Sequence, residues 1–289
     1  MRELERKQIS THPTCESVSL SRVTIVGRGR LGTALASGLR AAGLTVDGPL
    51  GRDAEPAGRG SARREPEFAD PPVVLLCVPD GEIAGAAAKL APDLIVGHCS
   101  GATTLDALGA HEAFSLHPLM TVTSDGAEFA GAGAAIAGST PRALNIATQL
   151  ADSLGMSPVA LSDDDRGAYH AAASIASNFL ITLEACAERL AASAGVQREL
   201  LVPLVRATVE NWAALGAARA LTGPIARGDQ LTVQRQREAV AQRAGDLLPL
   251  FDALVDATRA LAAPKGPATA ASVSESRSAR REPSEATVA

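Results

Sequence analysis

The chain has 289 residues, of which 46% are apolar and only 2% aromatic, and a formal net charge of −5. That length suits two domains with a sizeable buried core. The acidic balance gives no general electrostatic reason to bind nucleic acid or an anionic membrane.

Residues 1–20 are polar and aperiodic and are expected to form a disordered leader. From residue 21 to residue 161, short apolar runs alternate with helical stretches. VTIVG from Val23, TVDGPLG from Thr45, VVLLCVP from Val73, LIVGHCS from Leu94 and AFSLHP from Ala113 each read as a buried strand leading into a turn or helix. Runs near Ile136 and Ser157 suggest two more. Continuous apolar strands suit a parallel sheet covered on both faces. The expected fold is an α/β Rossmann domain, a mostly parallel doubly wound sheet, followed by an all-α domain over residues 162–262. Its helices are expected at Arg166–Ala194, Arg198–Leu215, Leu231–Ala244 and Leu248–Ala262. Residues 263–289 are rich in Pro, Ser, Ala and charge and read as a disordered tail.

Val23–Val26 lead into Gly27-Arg28-Gly29-Arg30-Leu31-Gly32 and then an Ala-rich helical run. This is strand, G-x-G-x-x-G, helix. Gly27 allows the tight turn, Gly29 lets a pyrophosphate approach the backbone, and Gly32 lets the helix pack against the strand. The helix N-terminus offers amide N–H groups to the phosphates. A dinucleotide is therefore the expected cofactor, held by Gly27, Arg28, Gly29, Arg30, Leu31 and Gly32. The second strand ends near Arg52 and Asp53. An arginine there suits the 2′-phosphate of NADP(H), whereas an acidic residue suits the ribose of NAD(H). Arg52, with Arg28 and Arg30 nearby, favours NADP(H); Asp53 is the feature NAD(H) would use. Val78, Pro79 and Asp80 follow the third strand and are expected along the dinucleotide, with capping of the next helix as the alternative for Asp80.

Several motifs then combine: VPDGEI, GHCSGA, SLHP, YHAAASIASNFL and ALTGPIARGD. Together they resemble the Rossmann-like oxidoreductases that carry a C-terminal domain of unknown function 2520, over roughly Val23 to Leu261. The resemblance implies an NADP-binding domain joined to a helical domain, a layout similar to ketopantoate reductase, pyrroline-5-carboxylate reductase and the β-hydroxyacid dehydrogenases. It also implies 2-ketopantoate as a substrate type, a link to pantothenate biosynthesis, and a homodimer built through the helical domain. One departure is visible: a histidine expected shortly after Thr232-Val233 is absent from the run Gln234-Arg235-Gln236-Arg237.

A carbonyl reductase needs an acid for the developing alkoxide. The β-hydroxyacid dehydrogenases and ketopantoate reductases use a lysine early in the helical domain. This chain has no lysine between Lys89 and Lys265, which excludes that solution. The position is instead taken by a helix bearing His170, Ser174 and Asn178, spaced by four and so expected on one face. His170 is the candidate acid, Asn178 an orienting amide and Ser174 a substrate contact. Tyr169, the sole tyrosine, is expected to point elsewhere. Ser100 and His117 follow the fourth and fifth strands, whose ends converge on one crevice. Thr222, Arg227 and Asp229 lie in a Gly/Pro-rich loop, where Arg227 could clamp a carboxylate; the alternative is an interhelical turn with Asp229 as a cap.

The four cysteines, Cys15, Cys77, Cys99 and Cys186, show no metal spacing, no metal site is expected, and the chain reads as cytoplasmic. The combined expectation is an NADPH-dependent reductase of a small keto acid acting at the domain cleft. The alternatives are an imine reductase of pyrroline-carboxylate type, and an NADP(H)-binding sensor without turnover.

Overall fold

The computed structural model describes residues 20–51, 72–124 and 126–263. The expected leader and tail lie almost wholly outside the described residues, as do Arg52 and Asp53.

Among the described residues, seven strands form one sheet: β1 (Arg22–Val26), β2 (Thr45–Leu50), β3 (Val73–Leu76), β4 (Ile95–His98), β5 (Glu112–Leu119), β6 (Gly133–Gly138) and β7 (Ser157–Ala160). Their order is β2-β1-β3-β4-β5-β6-β7. Every pairing is parallel except β5 with β6. The apolar run of β3 explains its place inside the sheet. Val73 and Leu75 join a core with Leu35, Leu39, Phe114 and Leu116. Val74 and Leu76 join a second core with Ile83, Val96 and Leu108. Alternate residues of a strand face opposite sides, so a strand buried on both must be apolar throughout.

Helix α1 (Arg30–Ala41) buries Leu35, Ala36 and Leu39 on the first face, and α2 (Ile83–Ala87) buries Ile83 and Ala87 on the second. Helix α3 (Pro141–Ser153) starts where Thr140 Oγ1 accepts the Ala143 N–H at 3.1 Å, with Pro141 in the first turn. Such a cap contributes about 1 kcal/mol. Its buried residues, Ala143, Ile146, Ala147, Leu150 and Ala151, follow the helical period.

The chain then runs through α4 (Arg166–Ser174), a π turn (Ile175–Phe179), α5 (Leu180–Ala192), α6 (Arg198–Leu215), the short α7 (Ala217–Ala220), α8 (Gln230–Arg243) and α9 (Leu248–Ala262). Helix α6 and helix α9 have the expected bounds. The expected Arg166–Ala194 helix is interrupted by the π turn. The structure divides into two compact units, one ending at Ile181 and the other starting at Thr182. The first unit runs past residue 161. Arg166, 2% exposed, donates from Nη2 to Ser115 Oγ of β5 at 2.8 Å and ties α4 to the sheet. No described helix is long and apolar enough to cross a membrane.

Candidate active site

The chain leaves β1 toward β2 on one side and β3 on the other, which makes the β1/β3 carboxyl end the topological switch point where such sheets bind ligands. The glycine loop lies there. Gly27 has φ +120°, and a Cβ on it would sit 2.2 Å from the Cys77 carbonyl oxygen. A Cβ on Gly32 would sit 2.1 Å from the Gly27 oxygen. Both positions therefore require glycine for the loop itself. Gly29 differs: a Cβ there meets nothing within 4 Å. It is the N-cap of α1, with extended backbone and no side-chain cap on the first-turn amides. The loop thus keeps open space and uncapped N–H groups at one point, which fits a dinucleotide pyrophosphate. Arg28 donates from Nε to the Pro49 oxygen at 3.3 Å, and its guanidinium lies beside Gly51. It stands at the end of β2, where a 2′-phosphate is read. Arg30 and Leu31 open α1.

After β3, Asp80 does not cap the following turn. Its Oδ2 instead accepts the Ser100 hydroxyl at 2.8 Å. Val78 and Pro79 precede it on the same edge. Ser100 Oγ also accepts the backbone N–H of Ala102 at 3.1 Å and of Thr103 at 2.9 Å, and it lies 2.9 Å from Thr103 Oγ1. A hydroxyl 6% exposed with these partners shapes the turn after β4.

His98 of β4 pairs in register with Ser115 of β5, so His117 lies two residues past that point, at the carboxyl edge. Ser115 and His117 share one face of β5. Helix α4 presents Arg166 and Tyr169, three apart and hence neighbours on its surface. The two pairs meet: Arg166 reaches Ser115, and the Tyr169 hydroxyl and His117 Nδ1 share a hydrogen bond of 2.8 Å. Tyr169 therefore does not point away from the site, as the spacing of His170, Ser174 and Asn178 suggested, but into it. Tyr169 thus joins the site beside the His170 stripe. The Ser-x-His period of β5 and the Arg-x-x-Tyr period of α4 carried the signal. His170 is exposed, with its ring 6.1 Å from that of His117. Both rings flank Gly101, where a Cβ would come within 2.9 Å of His170 Cδ2 and 3.0 Å of His117 Nε2. Asn178 falls within the π turn, a feature that recurs at functional sites. The wide turn underwinds the helix and keeps residues eight apart nearer one face. Ser174 is half-buried.

The charges follow from burial. His117 is pushed down to about 4, first by burial and then by His170, with Asp80 opposing. His98, fully buried, is also lowered to about 4, first by burial and then by the Arg166 guanidinium. Burial raises Tyr169 above its ordinary value, and Arg166 opposes that rise. Arg166 itself is held by Asp163. Beneath the glycine loop, Cys77 and Cys99 place their sulfurs 3.6 Å apart, and their hydrogen bond together with burial pushes the Cys99 thiol up, which disfavours a thiolate nucleophile.

Thr222, Arg227 and Asp229 belong to the second unit. Asp229 is the N-cap of α8, accepting the Thr232 N–H at 3.0 Å and the Thr232 hydroxyl at 2.6 Å. The cap given as the alternative for Asp229 is present. Thr222 and Arg227 are exposed. Among the described residues no group of three or more His, Cys, Asp or Glu could hold a metal ion.

Residues 132–258 match the family described as domain of unknown function (DUF2520). The DUF2520 region starts at β6 and so takes in the antiparallel edge of the sheet as well as the helices. Among solved structures, the chain resembles a Bacteroides fragilis protein described as an NADP oxidoreductase, 17% identical, TM-score 0.69, over 83% of this chain and 98% of that one. It resembles protein TM1727 of Thermotoga maritima at 24% identity and TM-score 0.65, over 83% and 98%. It also resembles a reductive aminase of Aspergillus terreus in complex with NADPH and ethyl-5-oxohexanoate, at 19% identity and TM-score 0.57, over 83% and 93%. These likenesses establish the Rossmann-type fold. No curated protein matches the chain.

Proposed function

We propose that this chain is an NADPH-dependent reductase of a small keto acid, of the 2-ketopantoate kind, working at the carboxyl edge of its sheet. The observation that carries the reading is the open space at Gly29 beside the uncapped start of α1, on the same strand edge as His117, Tyr169 and His170. Gly27, Gly29, Gly32, Arg30 and Leu31 would hold the pyrophosphate, and Arg28 the 2′-phosphate. Val78, Pro79 and Asp80 would line the nicotinamide half. A bound reduced nicotinamide supplies the hydride. The side chains of this edge orient the acceptor and deliver a proton, with Ser174 and Asn178 as further contacts.

A second reading, reduction of a carbon–nitrogen double bond, is favoured by fold likeness to the reductive aminase and to a Plasmodium falciparum pyrroline carboxylate reductase with NADP bound, which is 12% identical with TM-score 0.50. A non-turnover NADP(H) sensor is the third. NADPH oxidation with 2-ketopantoate, pyrroline-5-carboxylate and short 2-keto acids separates them, with thermal shift by NADPH run alongside. Saturable oxidation names the substrate class. Stabilisation without turnover selects the sensor, and no stabilisation by NADPH or NADH overturns the cofactor reading.

The same reading includes a homodimer. Neither α5 nor α6 buries a single residue, and α6 leaves Leu200, Leu204 and Trp212 at 70%, 66% and 58% exposure along one side. A second copy of this chain would cover that stripe. Light scattering of the wild type and of Leu204→Glu tests it; a monomeric wild type overturns it.

A further inference from the structure

We infer that Tyr169 is the residue that hands the proton to the substrate, with His117 holding its hydroxyl and the buried Arg166 supporting the pair from below. This rests on the reductase reading above.

Three observations converge. The Tyr169 hydroxyl is fixed by a 2.8 Å hydrogen bond to His117 Nδ1. An acid must be held in place to act efficiently. Arg166 is 2% exposed and lies three residues before Tyr169 on α4. A cation there favours the phenolate that remains after proton donation. Neither His117 nor Arg166 can act as the donor itself. His117 is neutral near pH 7 because burial, His170, Arg166 and His98 outweigh Asp80, and Arg166 is committed to Asp163 and Ser115. His170, exposed at the other flank of Gly101, lies closer to water than the pair does.

The step balances as follows. A hydride from the bound reduced nicotinamide adds to the carbonyl carbon, and the π pair moves to oxygen. That oxygen takes the Tyr169 phenolic proton. The phenolate recovers a proton from His117 Nδ1–H while Nε2, on the side facing Gly101, takes one from water. The substrate is reduced by two electrons and the nicotinamide is oxidised by two. His117 must therefore carry its hydrogen on Nδ1 and donate to the Tyr169 oxygen.

Tyr169 is the only tyrosine of the chain, so tyrosinate absorbance of the whole protein reports it alone. Wild type is expected to ionise above the ordinary tyrosine range. His117→Phe is expected to raise the midpoint further, because a hydrogen bond donated to the phenolate is lost; His117→Asn, whose amide can stand near Nδ1, restores it. Arg166→Gln raises it as well. In turnover, Tyr169→Phe lowers kcat by at least about 100-fold with NADPH affinity unchanged. Tyr169→Phe with wild-type kcat overturns the inference and leaves the reductase reading intact. A midpoint that falls in His117→Phe reverses the hydrogen bond and also overturns it. A wild type that binds NADPH yet reduces no carbonyl or imine overturns the reductase reading, and the catalytic role goes with it.

Discussion

The Ser100 hydroxyl donates to Asp80 Oδ2 at 2.8 Å, joining the turn after β4 to the turn after β3. The same oxygen receives the amides of Ala102 and Thr103. Ser100→Ala leaves both amides and one carboxylate oxygen short of a partner, and such losses cost about 1–3 kcal/mol. The expected result is a lower Tm by thermal shift, with folding preserved. An unchanged Tm would show that water replaces the hydroxyl.

The loop glycines are expected to separate by role. Gly29→Ala meets open space and should leave the Tm without cofactor unchanged while weakening NADPH binding at least tenfold. Gly27→Ala meets the Cys77 carbonyl at 2.2 Å in a positive-φ conformation and should lower the Tm itself. Calorimetric titration and thermal melts read the two effects separately.

Arg28 lies at the end of β2. Arg28→Gln should weaken NADPH by about tenfold and NADH little, because only the former carries a 2′-phosphate. Equal weakening of both would place Arg28 on the pyrophosphate.

Gly101 is the point at which His117 and His170 approach each other's side of the loop. A methyl there would press on both rings at about 3 Å. Gly101→Ala should reduce kcat more than it reduces NADPH affinity, measured by steady-state kinetics beside direct binding. A reversed ratio would mean the loop serves the cofactor first.

His98 and His117 both titrate near 4 in the folded chain, against an ordinary value of 6.5. Their folded values are depressed, so the unfolded chain binds more protons between the two. Stability from these groups is present above pH 6.5 and is lost as pH falls toward 4, on the order of 2–3 kcal/mol each. Denaturant midpoints should drop through that window. In His117→Phe the drop should shrink; an identical profile would remove His117 from the account.

The sheet was legible because its signal is local. VVLL and LIVGH announce buried strands by composition alone, and the glycine loop announces the turn between β1 and α1. The helix bounds of α6 and α9 followed from periodicity. The heart of the site was less so. Tyr169 touches His117 across 52 residues of chain, and only register between α4 and β5 brings them together. Helical spacing singled out His170, Ser174 and Asn178, but the π turn that holds Asn178 near their face was not announced by any propensity. Arg166 was overlooked because an arginine in a charged stretch, next to Asp163, Asp164 and Asp165, reads as surface. Its burial depends on Ser115, whose role is invisible until β5 is placed.

Helix α6 has 18 residues and buries none of them within its own chain. A helix in that situation draws little hydrophobic stabilisation from its own copy. Under the proposed homodimer, what holds it obeys mass action: on dilution the second unit should loosen before the sheet does, and concentrating the protein should restore it.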